Sequence, residues 1–202
     1  MPNALATKVL NHAAELPEGS PLSAKALLHL GSRAAIDQAL SRLARSGELA
    51  RAGRGVYLRP IKNRFGSRAP STAKALEGLS TQRGETIVPH GAAAANALGL
   101  TTQVPMREIY LTSGPSRKLT LGSQVVELRH APAWKLILPG RNAGNAVRAM
   151  EWLGKESTPG TLQELKSKLP AEALSELMAA RPRLPTWMAQ KVSALVSDGS
   201  IP

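Results

Sequence analysis

The sequence predicts an α+β chain on three observations. A basic amphipathic helix at residues 32–45 runs straight into a basic hairpin; alternating apolar and polar runs occupy residues 85–130; Gly- and Pro-punctuated helical segments follow from residue 142. Together they describe an N-terminal winged helix-turn-helix, then a mixed α/β domain with a small sheet and a helical C-terminus.

The first element is a helix over Asn3–Glu15, with Leu5, Val9, Leu10 and Ala13 on its apolar side and Pro17-Glu18-Gly19 ending it. A short helix over Ser23–Leu30 turns Ala26, Leu27 and Leu30 inward, and Gly31 lets the chain turn into Ser32. Ser32 suits an N-cap. From there Ile36, Ala39, Leu40 and Leu43 recur at i, i+3, i+4 and i+7, one stripe of an α-helix. The helix opens on Arg33; its opposite face carries Ala34, Gln38, Ser41 and Arg45, flanked by Arg42. Ser46-Gly47 stops it. A strand at Glu48–Arg51, a turn at Ala52–Gly55 and a strand at Val56–Arg59 make a wing bearing Arg51 and Arg54. In such a module the second helix lies in the major groove and the wing rests on the backbone. The guanidiniums read guanine or meet phosphate, and the Gln38 amide suits adenine. Tyr57, in the wing's second strand, is expected to pack on the core.

The expected organisation is residues 1–61 as the DNA-binding domain, 62–70 as a basic linker and 71–202 as the second domain. Lys62, Arg64 and Arg68 in the linker are either solvated or add phosphate contacts. Beyond it the chain reads as a helix (Thr72–Gln82), a strand (Glu85–Pro89) and a small-residue helix (Gly91–Leu98) suited to packing against a sheet. A strand at Arg107–Thr112 is followed by two runs joined at Gly122-Ser123, which suits a type II′ hairpin. Trp134–Leu138 is extended or helical. Helices at Asn142–Leu153, Thr161–Leu169, Ala171–Ala180 and Thr186–Val196 complete the chain.

Composition narrows the function classes. A net charge of +12 favours a polyanionic partner, and it is unevenly spread. Residues 1–68 hold 11 Lys/Arg against 4 Asp/Glu, while residues 69–202 hold 15 against 10. With no cysteine there is no disulfide, thiolate metal site or cysteine nucleophile. No apolar run approaches the length of a membrane span. The N-terminus lacks the pattern of a secretory leader, so a cytoplasmic protein is expected.

Catalytic chemistry is hard to assemble from these residues. Asp37 and Asp198 are the two aspartates, and no carboxylate pair stands at a metal-binding spacing. His90 precedes a helix and His130 ends a strand, positions that suit capping better than metal ligation. No catalytic residue, metal or cofactor is expected. A second basic surface, formed by Arg117, Lys118, Arg129 and Lys135 around the hairpin, is expected to be available to nucleic acid.

The stretch SRAAIDQALSRLARSGELARAGRGVYLRP, followed by IVPHGAAAANALGLTTQVP, IYLTSGPSRKLTLG and VELRHAPAWKLILPG, resembles the AbiEi-type antitoxins of bacterial abortive-infection systems. The resemblance spans roughly residues 3–155, and LPTWMAQKV at 184–192 is in keeping. It implies an N-terminal winged helix that binds inverted repeats in its own promoter. It also implies a C-terminal domain needed for antitoxicity and a nucleotidyltransferase-like toxin, typically countered without a stable protein complex. The helix and wing arginines Arg42, Arg45, Arg51 and Arg54 stand at matching positions; no neutralisation residues carry over.

Two function classes remain. One is a DNA-binding autorepressor and antitoxin without catalysis. The other is a winged-helix regulator whose C-terminal domain binds a small effector or acts on nucleotides.

Overall fold

Apolar spacing in the N-terminal region produces helix α1 (Ala4–Glu15), which buries Val9 and Ala13. The computed structural model describes residues 4–64, 66–103, 106–156 and 159–197. The architecture is α+β, with eight α-helices and small sheets among the described residues. Two compact units divide it: one holds the residues up to Glu85 together with Arg117–Glu127, the other Thr86–Ser116 with the residues from Leu128 onward.

In the first unit the expected helix at Ser23–Leu30 is instead a single 3-10 turn, Lys25–Leu27. Of its three apolar residues only Leu27 is fully buried, with Ala26 exposed. So short a segment does not repay an α-helical nucleus, and one tighter turn suffices. Helix α2 (Arg33–Arg45) follows, capped by the Ser32 hydroxyl, which accepts the Ala35 N–H at 3.4 Å. Ile36, Ala39, Leu40 and Leu43 are buried, the three larger ones contributing about 1.5–3 kcal/mol each.

Strands β1 (Ala50–Gly53) and β2 (Val56–Leu58) pair antiparallel, Arg51 opposite Tyr57. The register shifts between Arg51 and Gly53, so the turn tightens to Arg54-Gly55 rather than spanning Ala52–Gly55. Tyr57 exchanges backbone hydrogen bonds with Leu22 at 2.7 and 3.0 Å, and its ring is buried with Val9, Leu27, Ile36 and Leu40.

The expected linker is not irregular chain. It forms a second antiparallel hairpin, β3 (Ile61–Asn63) with β4 (Gly66–Arg68), Lys62 opposite Ser67. Helix α3 (Thr72–Arg83), capped by Ser71, then closes the first unit rather than opening the second.

Strand β5 (Ile87–Pro89) leads into α4 (Gly91–Ala97), and β6 (Glu108–Thr112) returns antiparallel to β5 with Val88 opposite Leu111. Strands β7 (Arg117–Leu121) and β8 (Gln124–His130) are neighbours joined at Gly122-Ser123. Gly122 has φ of 66°, the sign that a type II′ turn needs at its first position. The strand order is β5-β6-β8-β7, and just after β8 the Ala131 N–H donates to the Thr112 carbonyl at 3.0 Å. A 3-10 turn at Ala133–Lys135 precedes α5 (Asn142–Leu153), α6 (Pro159–Lys168), α7 (Ala171–Ala180) and α8 (Thr186–Ser197).

The small-residue helix α4 packs closely on helix α5. A Cβ at Gly91 would stand 2.6 Å from the Arg148 carbonyl oxygen and from Trp152 Cβ, so only glycine permits the α4–α5 approach. The buried core around them is built from Ala, Val, Leu, Ile and Met, with Trp134 and Trp187 packed partly buried against it. No helix among the described residues is long and apolar enough to cross a membrane.

Candidate nucleic-acid interface

With one face of α2 committed to the core, its remaining side chains point outward. Arg33, Gln38, Arg42 and Arg45 are exposed and Ser41 is half-buried. Arg33 Nε pairs with Asp37 Oδ2 at 3.1 Å, and Arg45 Nε donates to the Ser41 carbonyl at 3.4 Å. Arg42 and Arg45 lie in the last turn, where cations also favour the helix dipole.

The N-terminal end of α2 faces a groove of about 810 Å³. Lys25 from the 3-10 turn, Arg33 from α2, Arg54 from the β1–β2 turn and Arg83 from α3 line it, with Asp37 and Glu85 as its acids. Four cations against two carboxylates leave it electropositive. Arg42 and Arg45 do not line it, and Arg51 stands exposed on β1. The sequence-predicted residues therefore divide: Arg33 and Arg54 share one recess, whereas Arg42 and Arg45 occupy the far end of the helix. Lys25 and Arg83 were not predicted. Lone cations on unremarkable segments, they become neighbours only through the packing of the 3-10 turn and α3.

Lys62 and Arg64 are exposed on the β3–β4 hairpin, and Lys62 Nζ pairs with Glu48 Oε2 at 2.9 Å. Of the four residues expected to form a second basic surface, two are held in ion pairs. Arg117 is 16% exposed and bound to Glu85 at 2.5 Å. Lys135 Nζ is bound to Glu151 at 2.6 Å and lies 5.2 Å from the Trp134 ring centroid. Lys118 and Arg129 are exposed. Both acidic partners are distant in sequence, so no local pattern announces the pairing.

The largest buried polar side chain is also one that periodicity missed. Arg148, 1% exposed, donates from Nη1 to the carbonyls of Lys135 and Ile137 at 3.3 Å each and from Nη2 to Asn145 Oδ1 at 2.9 Å. Burial lowers its pKa to about 10, which leaves it cationic at neutral pH. It ties the 135–137 segment to α5 and is remote from solvent.

The histidines take local roles. His90 Nδ1 accepts the Ala92 N–H at 3.4 Å as the cap of α4; burial holds its pKa below the ordinary value, partly opposed by Glu151. His130 Nδ1 is 3.0 Å from the Gly114 carbonyl oxygen. Among the described residues no group of three or more His, Cys, Asp or Glu is arranged to hold a metal ion. The second unit has an open recess of about 390 Å³ lined by Thr86, Ser113, His130, Leu136 and Arg183 among others.

Residues 8–173 match DUF6088, a family of unknown function. No curated protein matches the sequence. The fold is similar to that in the crystal structure of the RV2827C protein from Mycobacterium tuberculosis, with a TM-score of 0.50 at 18% identity, over 100% of this chain and 79% of that one.

Proposed function

The chain belongs to the DUF6088 family, and we propose that it is a cytoplasmic, non-catalytic DNA-binding autorepressor and antitoxin. In this reading residues up to about 61 are a winged helix-turn-helix with α2 as the reading helix and β1–β2 as the wing. One observation carries it: Arg33 of α2 and Arg54 of the hairpin turn line the same electropositive groove, with Lys25 and Arg83 beside them. A helix that offers polar side chains next to a basic ribbon suits the major groove and its flanking phosphates. Gln38 and the arginines of α2 supply the donors that base edges accept, and Arg51 and Arg54 neutralise phosphates.

The antitoxin half of the reading, against a nucleotidyltransferase-like toxin, is carried by the likeness of the NALGLTTQVP, LTSGPSR and LRHAP segments to AbiEi-type antitoxins. Its test is coexpression of the full chain beside the toxin, compared with empty vector. No rescue removes the antitoxin half.

The DNA half is tested by binding to duplex from the chain's own upstream region and to random duplex across a salt series. Affinity should fall steeply between about 50 and 200 mM salt. Arg51→Ala and Arg54→Ala should each lower the log–log slope by about one. A salt-insensitive curve overturns the reading. The recess at His130 and Arg183 favours a second reading, a regulator with a small effector; a ligand retained through purification of the full chain is its test.

A further inference from the structure

We propose that the β3–β4 hairpin is a second DNA-contacting arm that grips duplex phosphates beyond the reach of α2 and the first hairpin, an inference that rests on the DNA-binding reading above. Two-stranded hairpins are marginal in water unless they bury a face. Here the described residues from Lys62 to Arg68 are all exposed, so the ribbon gains little from burial. Its base is held instead: Ile61 is half-buried, Pro70 is buried, and the Lys62–Glu48 ion pair ties β3 to the loop after α2.

The ribbon's chemistry names its partner. From Arg59 to Arg68 there are four cations, Arg59, Lys62, Arg64 and Arg68, and no acid. Lys62 faces Ser67 across the ladder and Ile61 faces Arg68, so Lys62 and Arg68 project from opposite faces. Charge on both faces is poorly suited to a flat protein surface. It suits a ribbon lying in a groove with a phosphate wall on either side, and the major groove, about 12 Å wide, admits a two-stranded ribbon. Glu48, bound to Lys62, makes an exposed pair of the kind worth at most about 1 kcal/mol, so exchanging it for a phosphate costs little. Three residues per strand at roughly 3.3 Å each span about 10 Å, or about three base pairs.

The test uses the full chain carrying Lys62→Gln, Arg64→Gln and Arg68→Gln together, with duplexes of graded length. Because Lys62, Arg64 and Arg68 are exposed, the thermal transition should stay where it is. The log–log salt slope should fall by about three, with equal loss on upstream and random duplex. Trimming the duplex by about three base pairs at the arm's end should weaken the wild-type chain and leave the triple variant unchanged. If the triple variant keeps the wild-type slope while Arg51→Ala and Arg54→Ala lower theirs, the arm does not touch DNA and the winged-helix reading stands without it. Absence of salt-dependent binding by the wild-type chain removes both.

Discussion

Helices α2 and α5 have nearly equal lengths, 13 and 12 residues, and both carry arginine, yet they place it oppositely. α2 buries four apolar residues along one stripe and leaves Arg33, Arg42 and Arg45 outside. α5 buries seven, Arg148 among them, because α4 closes on it through Gly91 and apolar residues of α7 share its core. Buried Arg148 is a packing element whose Nη1 and Nη2 donors are filled from within the unit, while its Nε is buried with no hydrogen-bond partner among the described residues. An exposed arginine, beside few acids, is available to a ligand. The same residue type therefore carries stability in one unit and, in the proposed function, recognition in the other.

The sharpest way to break this contrast is Arg148→Ala. It removes a long buried side chain and leaves the carbonyls of Lys135 and Ile137 without their donor. Loss of about 3–5 kcal/mol is expected, read as a shift in the denaturant midpoint. Arg148→Met, which keeps the volume, should recover part of it. If Arg148→Ala unfolds at the wild-type midpoint, the guanidinium is not holding the 135–137 segment.

On α2 the expectation reverses. Arg42→Ala and Arg45→Ala should change stability by no more than about 0.5 kcal/mol. They should reduce discrimination between upstream and random duplex by about 1–3 kcal/mol per base contact. Equal weakening on both DNAs makes the outer face of α2 a phosphate surface, and base reading then passes to the Arg33 end.

The contrast also explains what was legible beforehand. The α2 stripe reads directly from sequence because its partners, α1 and the Leu22–Tyr57 bridge, are nearby and leave one face free. Arg148 and Gly91 do not, since a helix covered on several sides has no single stripe. Basic residues at 62–68 looked like linker because a ladder of three residues per strand is too short to carry an alternation signal. Arg117 and Lys135 looked available because Glu85 and Glu151, which bind them, become neighbours only in the fold.

The smallest expected effect is the finest test of the groove. Asp37 pairs with Arg33 on the exposed surface of α2, with side chains 54% and 66% exposed. Such an i,i+4 pair contributes about 0.3–0.5 kcal/mol, so Asp37→Asn should hardly alter the melting transition. It removes one of the two acids in a groove lined by Lys25, Arg33, Arg54 and Arg83 and releases Arg33 for a phosphate. Repulsion between Asp37 and a nearby phosphate amounts to roughly 1 kcal/mol in water. The variant should therefore bind any duplex up to about fivefold more tightly at low salt, and the gain should fade as salt screens it. The sign decides between two geometries. Tighter binding puts the groove against the DNA backbone, with Asp37 a restraint on non-specific affinity. Weaker binding, confined to upstream duplex, makes Asp37 a reader that accepts a hydrogen bond from a cytosine amine. No change on either DNA takes the Arg33 end of α2 out of the interface.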